Sequence, residues 1–394
     1  MRARHRAMTY KPLFSRALGL APGRLHFAAH SHHLWPDASY EAQGRAWDEA
    51  NRHADRKWDL VFGEVLPEAQ RHVAAELNLP DPDSVVFAPN THDFLVRLHS
   101  GFGRRPVRIL STDGEFHSFR RQADRWVEAG QAEVHRVPLE PFDTFAERFV
   151  EAARGGAYDW IVVSQVFFRT GGLFDRIEDL AALARPEGPW VLVDGYHGFM
   201  ATPTDLRAVA DRVFYVSGGY KYAMAGEGAC FLHAPPGFCE RPVVTGWFAE
   251  FGDLAGPPGG VGYRTDGGRF WGATMDFTAL YRLNAVRRML DEAGLNTAAV
   301  ADHARGLAAR LQSALPEAGE LAGAEVLNSV EGDAPRARFL ALRHPDAQRW
   351  RAALLAAEIV TDVRDDVIRF GFGLYQDTAD VDRLVDACRR ALPA

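Results

Sequence analysis

The chain has 394 residues, of which 47% are hydrophobic and 25% charged, with a formal net charge of −7 and a pI near 6.1. That size accommodates a large domain and a smaller one. The acidic balance, with arginines dispersed among acids, excludes a nucleic-acid-binding field, and no apolar run is long enough to span a membrane. Cys230, Cys239 and Cys388 lack CxxC spacing, which argues against a disulfide framework or a zinc site and for a reducing, cytoplasmic setting.

The first 36 residues contain no acid and carry Arg2, Arg4, Arg6, Lys11 and Arg16, a composition shared with transit peptides. They flow directly into structured-looking sequence and are read as part of the fold. His26, His30, His32 and His33 invite a metal hypothesis, but no carboxylate or thiolate follows at ligand spacing, so substrate contacts or loop packing are expected and no metal is assigned.

Helical spacing runs from Ser39 to Leu77, and Pro80-Asp81-Pro82-Asp83 then marks a turn. Strands are predicted at Val85–Phe87, Arg108–Leu110, Glu133–Val137, Trp160–Ser164, Val191–Asp194, Arg212–Val216 and Ala229–Leu232. Helices alternate with them at Asp93–Leu98, Phe119–Ala129, Phe145–Ala153, Ile177–Ala184 and Leu206–Ala210. This rhythm predicts an α/β architecture with a mainly parallel central sheet covered on both faces, whose active groups cluster at strand ends.

A Gly/Pro-rich passage from Gly252 to Gly268 interrupts the pattern; its Gly259-Gly260-Val261-Gly262 has no preceding strand and no P-loop lysine, and reads as a connector. The amphipathic stretch Phe277–Ala293 follows. A helix at His303–Ala314, strands at Arg338–Leu342 and Val367–Phe370, and a last helix at Val381–Leu392 predict a smaller α+β C-terminal unit. The expected division is 1–55 as an N-terminal segment near the active site, 56–276 as the large domain and 277–394 as the small domain.

Chemistry concentrates in two segments. Asp194 closes the apolar strand Trp190-Val191-Leu192-Val193, and Lys221 lies in Ser217-Gly218-Gly219-Tyr220-Lys221-Tyr222. Alone, the first is an ordinary strand-end cap and the second an ordinary lysine. Together, an amine in a glycine-lined apolar turn and a carboxylate at a strand end read as a pyridoxal 5'-phosphate (PLP) site. The lysine would form a Schiff base, and the aspartate would keep the pyridine nitrogen protonated. Burial would lower the lysine pKa and free its amine. Asn90-Thr91, between a strand and a helix, suits a phosphate dianion or a plain N-cap. Phe116 is placed to stack on a flat ring or to join the core.

The chain resembles the class V, fold-type I PLP enzymes, and within them looks most like the kynureninases. Val163-Ser164-Gln165-Val166-Phe167-Phe168-Arg169-Thr170-Gly171 is similar to the SHVNYRTG stretch of those enzymes, and Tyr220-Lys221-Tyr222 matches their YKY. Gly246-Trp247-Phe248 looks like the GWW element, and Gly272-Ala273-Thr274 like the GTP element. The resemblance implies that Trp247 and Tyr220 contact the cofactor phosphate and that Thr274 reaches it from the partner subunit of a homodimer. It further implies that Phe116 stacks on the ring and that His197 sits behind Asp194. Arg369 would clamp the substrate carboxylate, with Ser31 and His53 nearby.

Two positions depart from the pattern: Phe119 stands where an acid is expected and Phe167 where an asparagine is. The expected activity is hydrolysis of the Cβ–Cγ bond of kynurenine or a related aryl-keto amino acid, with Lys221 moving the α-proton and Tyr220 relaying one. A class V aminotransferase or C–S lyase is the alternative.

Overall fold

The computed structural model describes residues 9–250, 260–332 and 335–393. Part of the Gly/Pro-rich connector, including Gly259, and Arg2, Arg4 and Arg6 lie outside these. The large sheet has seven strands: β1 Val85–Ala88, β2 Val107–Thr112, β3 Ala132–Val137, β4 Trp160–Ser164, β5 Trp190–Asp194, β6 Val213–Gly218 and β7 Cys230–His233. Their order is β1-β7-β6-β5-β4-β2-β3, and β7 runs against its two neighbours. The central strands β4 to β7 are buried along nearly their whole length, as expected when both faces are covered. Parallel strands deliver their C-terminal ends to one edge, where an open α/β sheet leaves a crevice. Ser164 and Asp194 occupy two of those ends and face each other in register.

One helical expectation is refined and one is corrected. The stretch from Ser39 to Leu77 is helical as its spacing predicts, but in segments: Asp37–His53 ends where Ala54 turns left-handed at φ 48°, and Leu66–Leu77 begins after a π-turn at Val61–Val65. Pro67 explains the second break, because it has no N–H to donate back into the preceding turn. Leu206–Ala210 forms turns only: Val209 N–H donates to Leu206 O three residues back, and no i to i−4 ladder is established before β6 begins at Val213.

The C-terminal unit is a four-stranded antiparallel sheet ordered Asp362–Arg364, Val367–Gly371, Phe339–Arg343, Glu325–Val326. Helices Thr297–Ala314, Ala347–Ala356 and Thr378–Ala391 accompany it around a core that includes Leu340, Trp350, Ile368, Phe370 and Leu384. A capping box between Asp377 and Asp380 starts the last helix. The N-terminal segment ties the two units together: Leu25–His26 pairs with Ile359–Val360, while Asp37–His53 packs on Thr278–Glu292. Among the described residues no helix is long and apolar enough to cross a membrane.

Candidate active site

A cavity of about 410 Å³ opens at the C-terminal ends of the large sheet. Asn90, Thr91, Phe116, Asp194, His197, Tyr220 and Lys221 all line it, although they come from four separate stretches of sequence. Lys221 follows β6 in a loop closed by Gly219 N–H to Ala229 O at 2.9 Å and Ala225 N–H to Gly219 O at 2.9 Å. The return to β7 uses Gly226 and Gly228 at φ +69° and +95°, conformations that side chains other than glycine rarely adopt. The loop thereby pushes a long cationic side chain into the protein, where it is 8% exposed.

The Lys221 Nζ lies 2.5 Å from His197 Nε2, and burial, only partly opposed by Asp194, brings its pKa down to about 7. Burial acts on the other groups in the same sense, towards their neutral forms. His197 is held well below the ordinary histidine value by burial and then by Lys221. Asp194 is raised by burial, despite accepting the Tyr196 N–H at 2.9 Å and facing Lys221. The pair is thus starved of solvation, and a second cation at Asp194 would restore its charge. Among the described residues, the buried Nδ1 of His197 has no hydrogen-bond partner.

Aromatic side chains form the remaining walls. Lys221 Nζ is 5.3 Å from the Phe116 ring centre and 4.8 Å from that of Tyr196. Phe168 meets Phe116 edge-to-face at 5.3 Å, and Phe119 packs on Trp160. Of the two departures, Phe119 does line the cavity, whereas Phe167 does not: it is fully buried against Phe145, and its neighbour Phe168 faces the cavity instead. Asn90 caps the helix Thr91–Ser100 by accepting the Asp93 N–H at 3.0 Å, so the capping reading is realised at the cavity edge.

The residues expected around the substrate are not gathered in this cavity. Arg369 is 2% exposed and is held by the Asp362 carboxylate and the Phe168 carbonyl. It nevertheless contributes to lowering the Lys221 pKa. His53 ends its helix half-buried, and Ser31 is half-buried in the loop after Ala28; neither lines the cavity. His32 is the N-terminal residue that arrives, with Nδ1 3.3 Å from the Tyr220 hydroxyl. The other early histidines separate: His26 meets Tyr375, His33 meets the Leu34 carbonyl, and His30 is buried against Phe339. Trp247 and Thr274 are exposed and do not line the cavity, but their segments touch, with Phe248 N–H donating to Gly272 O at 3.2 Å.

Four contributors escaped the sequence reading. Ser164, Tyr196 and Cys230 line the cavity, and the wholly buried Glu115 sits behind Ser164. A signal existed for Ser164: it ends an apolar strand as Asp194 does.

Comparison with known proteins places this arrangement. The chain shares the fold of PLP-bound enzymes: a lysine mutant of C-DES with glycine covalently linked to its PLP cofactor superposes with a TM-score of 0.79 at 16% identity, covering 97% of this chain and 99% of that one. The cysteine desulfurase CsdA from Escherichia coli superposes with a TM-score of 0.76 at 19% identity, covering 98% and 99%. At these identities the likeness establishes the fold alone, that of the fold-type I PLP-dependent enzymes.

The aminotransferase class-V family model matches residues 51–331, and the kynureninase C-terminal domain model matches residues 300–388. The chain belongs to the aminotransferase class-V family, and its cofactor is PLP. Among curated relatives, the isopenicillin N epimerase of Streptomyces clavuligerus is 27% identical over 305 residues, covering 72% of this chain and 73% of that protein. A cysteine desulfurase of Salmonella typhimurium is 25% identical over 174 residues, covering 43% of this chain and 42% of that protein.

Proposed function

We propose that the protein is a kynureninase-like hydrolase that binds an aromatic α-amino acid at Lys221 and cleaves its Cβ–Cγ bond. The observation carrying this reading is the neutralised amine of Lys221, set beside Asp194 between aromatic walls. The residues fit PLP. Lys221 offers a reactive amine, Asp194 awaits a cation, Phe116 offers a ring face, and the N-terminal end of Thr91–Ser100 offers N–H groups to a phosphate. When bound, PLP supplies an aldehyde for the amine and a cationic ring that takes up electron density from a carbanion.

The chain's own residues divide the remaining work. Lys221 Nζ, with a pKa of about 7, accepts and returns the substrate α-proton near neutrality. Asp194 would hold the ring nitrogen cationic, and His197 Nε2 stands 2.5 Å from the Lys221 amine. Tyr220, reached by His32, relays a proton at the cavity mouth. Phe116, Phe119 and Phe168 exclude water and select an apolar, aromatic side chain. Arg369 takes the substrate carboxylate in exchange for Asp362, a bidentate task that suits guanidinium. Ser31 and His53 are assigned to the substrate side. Trp247 and Thr274 form an exposed phosphate-reaching patch that serves the neighbouring site in a homodimer.

The experiment is incubation of the PLP-loaded protein with kynurenine, which should release anthranilate and alanine. Release of neither product by protein that carries PLP removes the hydrolase reading. The relation to the epimerase and the cysteine desulfurase supports a second reading, α-carbon epimerisation or C–S cleavage. Within it, transfer of sulfur through a protein thiol is disfavoured, because Cys230, Cys239 and Cys388 are all buried with thiol pKa values pushed up to about 11 or 12. Sulfur release from cystine, or α-hydrogen exchange without cleavage, would favour it.

A further inference from the structure

Glu115 is a carboxyl group that the reading above leaves without a task. It is 1% exposed, and both its oxygens are committed to one residue: Oε1 accepts the Ser164 N–H at 2.9 Å, and Oε2 lies 2.6 Å from Ser164 Oγ. Ser164 ends β4, lines the cavity and stands in register with Asp194 at the end of β5. The backbone contact fixes the carboxyl group whatever its charge. The hydroxyl contact, in contrast, has two states. A neutral Glu115 donates its proton to Ser164 Oγ and leaves the serine O–H free to donate into the cavity. An ionised Glu115 consumes that O–H as its own donor and turns a serine lone pair to the cavity.

We propose that Glu115 is a positioning residue which, through Ser164, sets whether the cavity offers a hydrogen-bond donor or an acceptor to the cofactor ring beside Asp194. This rests on the assignment of the Lys221 cavity as the PLP site. Burial outweighs the Ser164 hydrogen bonds and raises Glu115 to about 8, with Asp194 adding to the rise when it is ionised, so the donor state holds at neutral pH. Asp194 on β5 is the ionisable neighbour acting on Glu115, while Lys221, His197 and Tyr196 face the cavity from the adjoining segments, and His117 opens the next helix.

The test uses Glu115→Gln, whose amide keeps the acceptor for the Ser164 N–H and permanently donates to Ser164 Oγ, and Ser164→Ala. In infrared difference spectra of the cofactor-free protein, the wild type should show a protonated-carboxyl band at neutral pH that disappears as pH rises past about 8. Glu115→Gln should lack that band, and Ser164→Ala should shift it. With PLP bound, the visible band of the wild type should move over the same pH range. In Glu115→Gln it should stay at its neutral-pH position, and in Ser164→Ala the movement should vanish. A protonated-carboxyl band that survives Glu115→Gln unchanged, or a visible pH shift untouched by both substitutions, overturns the inference while leaving the PLP site standing. A wild-type protein that binds PLP away from Lys221, read by mass after borohydride reduction, overturns the assignment of the cavity and the inference with it.

Discussion

The cavity at Lys221 and the cluster around Arg369 solve opposite problems with similar materials. At Lys221, an amine, an imidazole and a carboxyl group are buried together and driven towards their neutral forms, so the site is poised to accept charge from outside. At Arg369, a buried guanidinium is already matched by Asp362, which also pairs with Arg364 at 2.5 Å. The first region is built from strand ends of one sheet; the second joins a strand of the smaller sheet to the Phe168 carbonyl of the large domain. The amine, imidazole and carboxyl group at Lys221 can take up charge directly, whereas the guanidinium of Arg369 can bind an outside carboxylate, as proposed above, only by exchanging Asp362 for it. The difference teaches that burial alone does not decide whether a charged group is free to act; its pairing does.

The comparison breaks most visibly at Lys221. Lys221→Ala should abolish covalent retention of PLP after borohydride reduction and lower turnover by at least about a thousandfold, because attachment and proton transfer are lost together. Retention of both would end the argument for this amine. At the other region, Asp362→Asn leaves two guanidiniums facing one another, and chemical denaturation should show a loss of about 3 kcal/mol. An unchanged midpoint would mean that the pair is not a buried counter-ion system. Asp194→Asn should bind PLP yet lose roughly a hundredfold in turnover, since an amide cannot fix a cationic ring nitrogen.

A further expected effect concerns pH. Glu115 has its folded pKa raised from the ordinary 4.5 to about 8, so the stability it contributes is full below 4.5 and declines as pH rises towards 8. Denaturation of the cofactor-free protein across that window should show the decline, and Glu115→Gln should flatten it. An identical slope in both proteins would place the proton elsewhere.

Legibility followed the same division. Trp190-Val191-Leu192-Val193-Asp194 announces itself, because a continuous apolar run ending in a carboxylate has few places to sit in an α/β sheet. The glycines around Lys221 mark a tight turn for a similar reason. Arg369 was placed by resemblance within a strand legible from its apolar neighbours, but its partner Asp362 was not legible: the two are seven residues apart and meet because their strands pair in register. His53 and Ser31 were placed by resemblance, and a segment's position in a chain does not fix which of its side chains turns inward; His32 does so instead. Glu115 was hidden because a single acid after a strand carries no pattern. Phe167 and Phe168 lie beyond the end of β4, Phe168 in a turn, where no strand alternation tells which of two adjacent rings reaches the cavity.

One feature of the sheet bears on the working life of the protein. β7 is flanked on both sides, by β1 and by β6, and it returns directly from the loop that carries Lys221. Both ends of that loop are therefore anchored in paired strands. Loss of competence on heating should coincide with rupture of the sheet itself, and amide protons of Phe231 and Leu232 should be among the last to exchange.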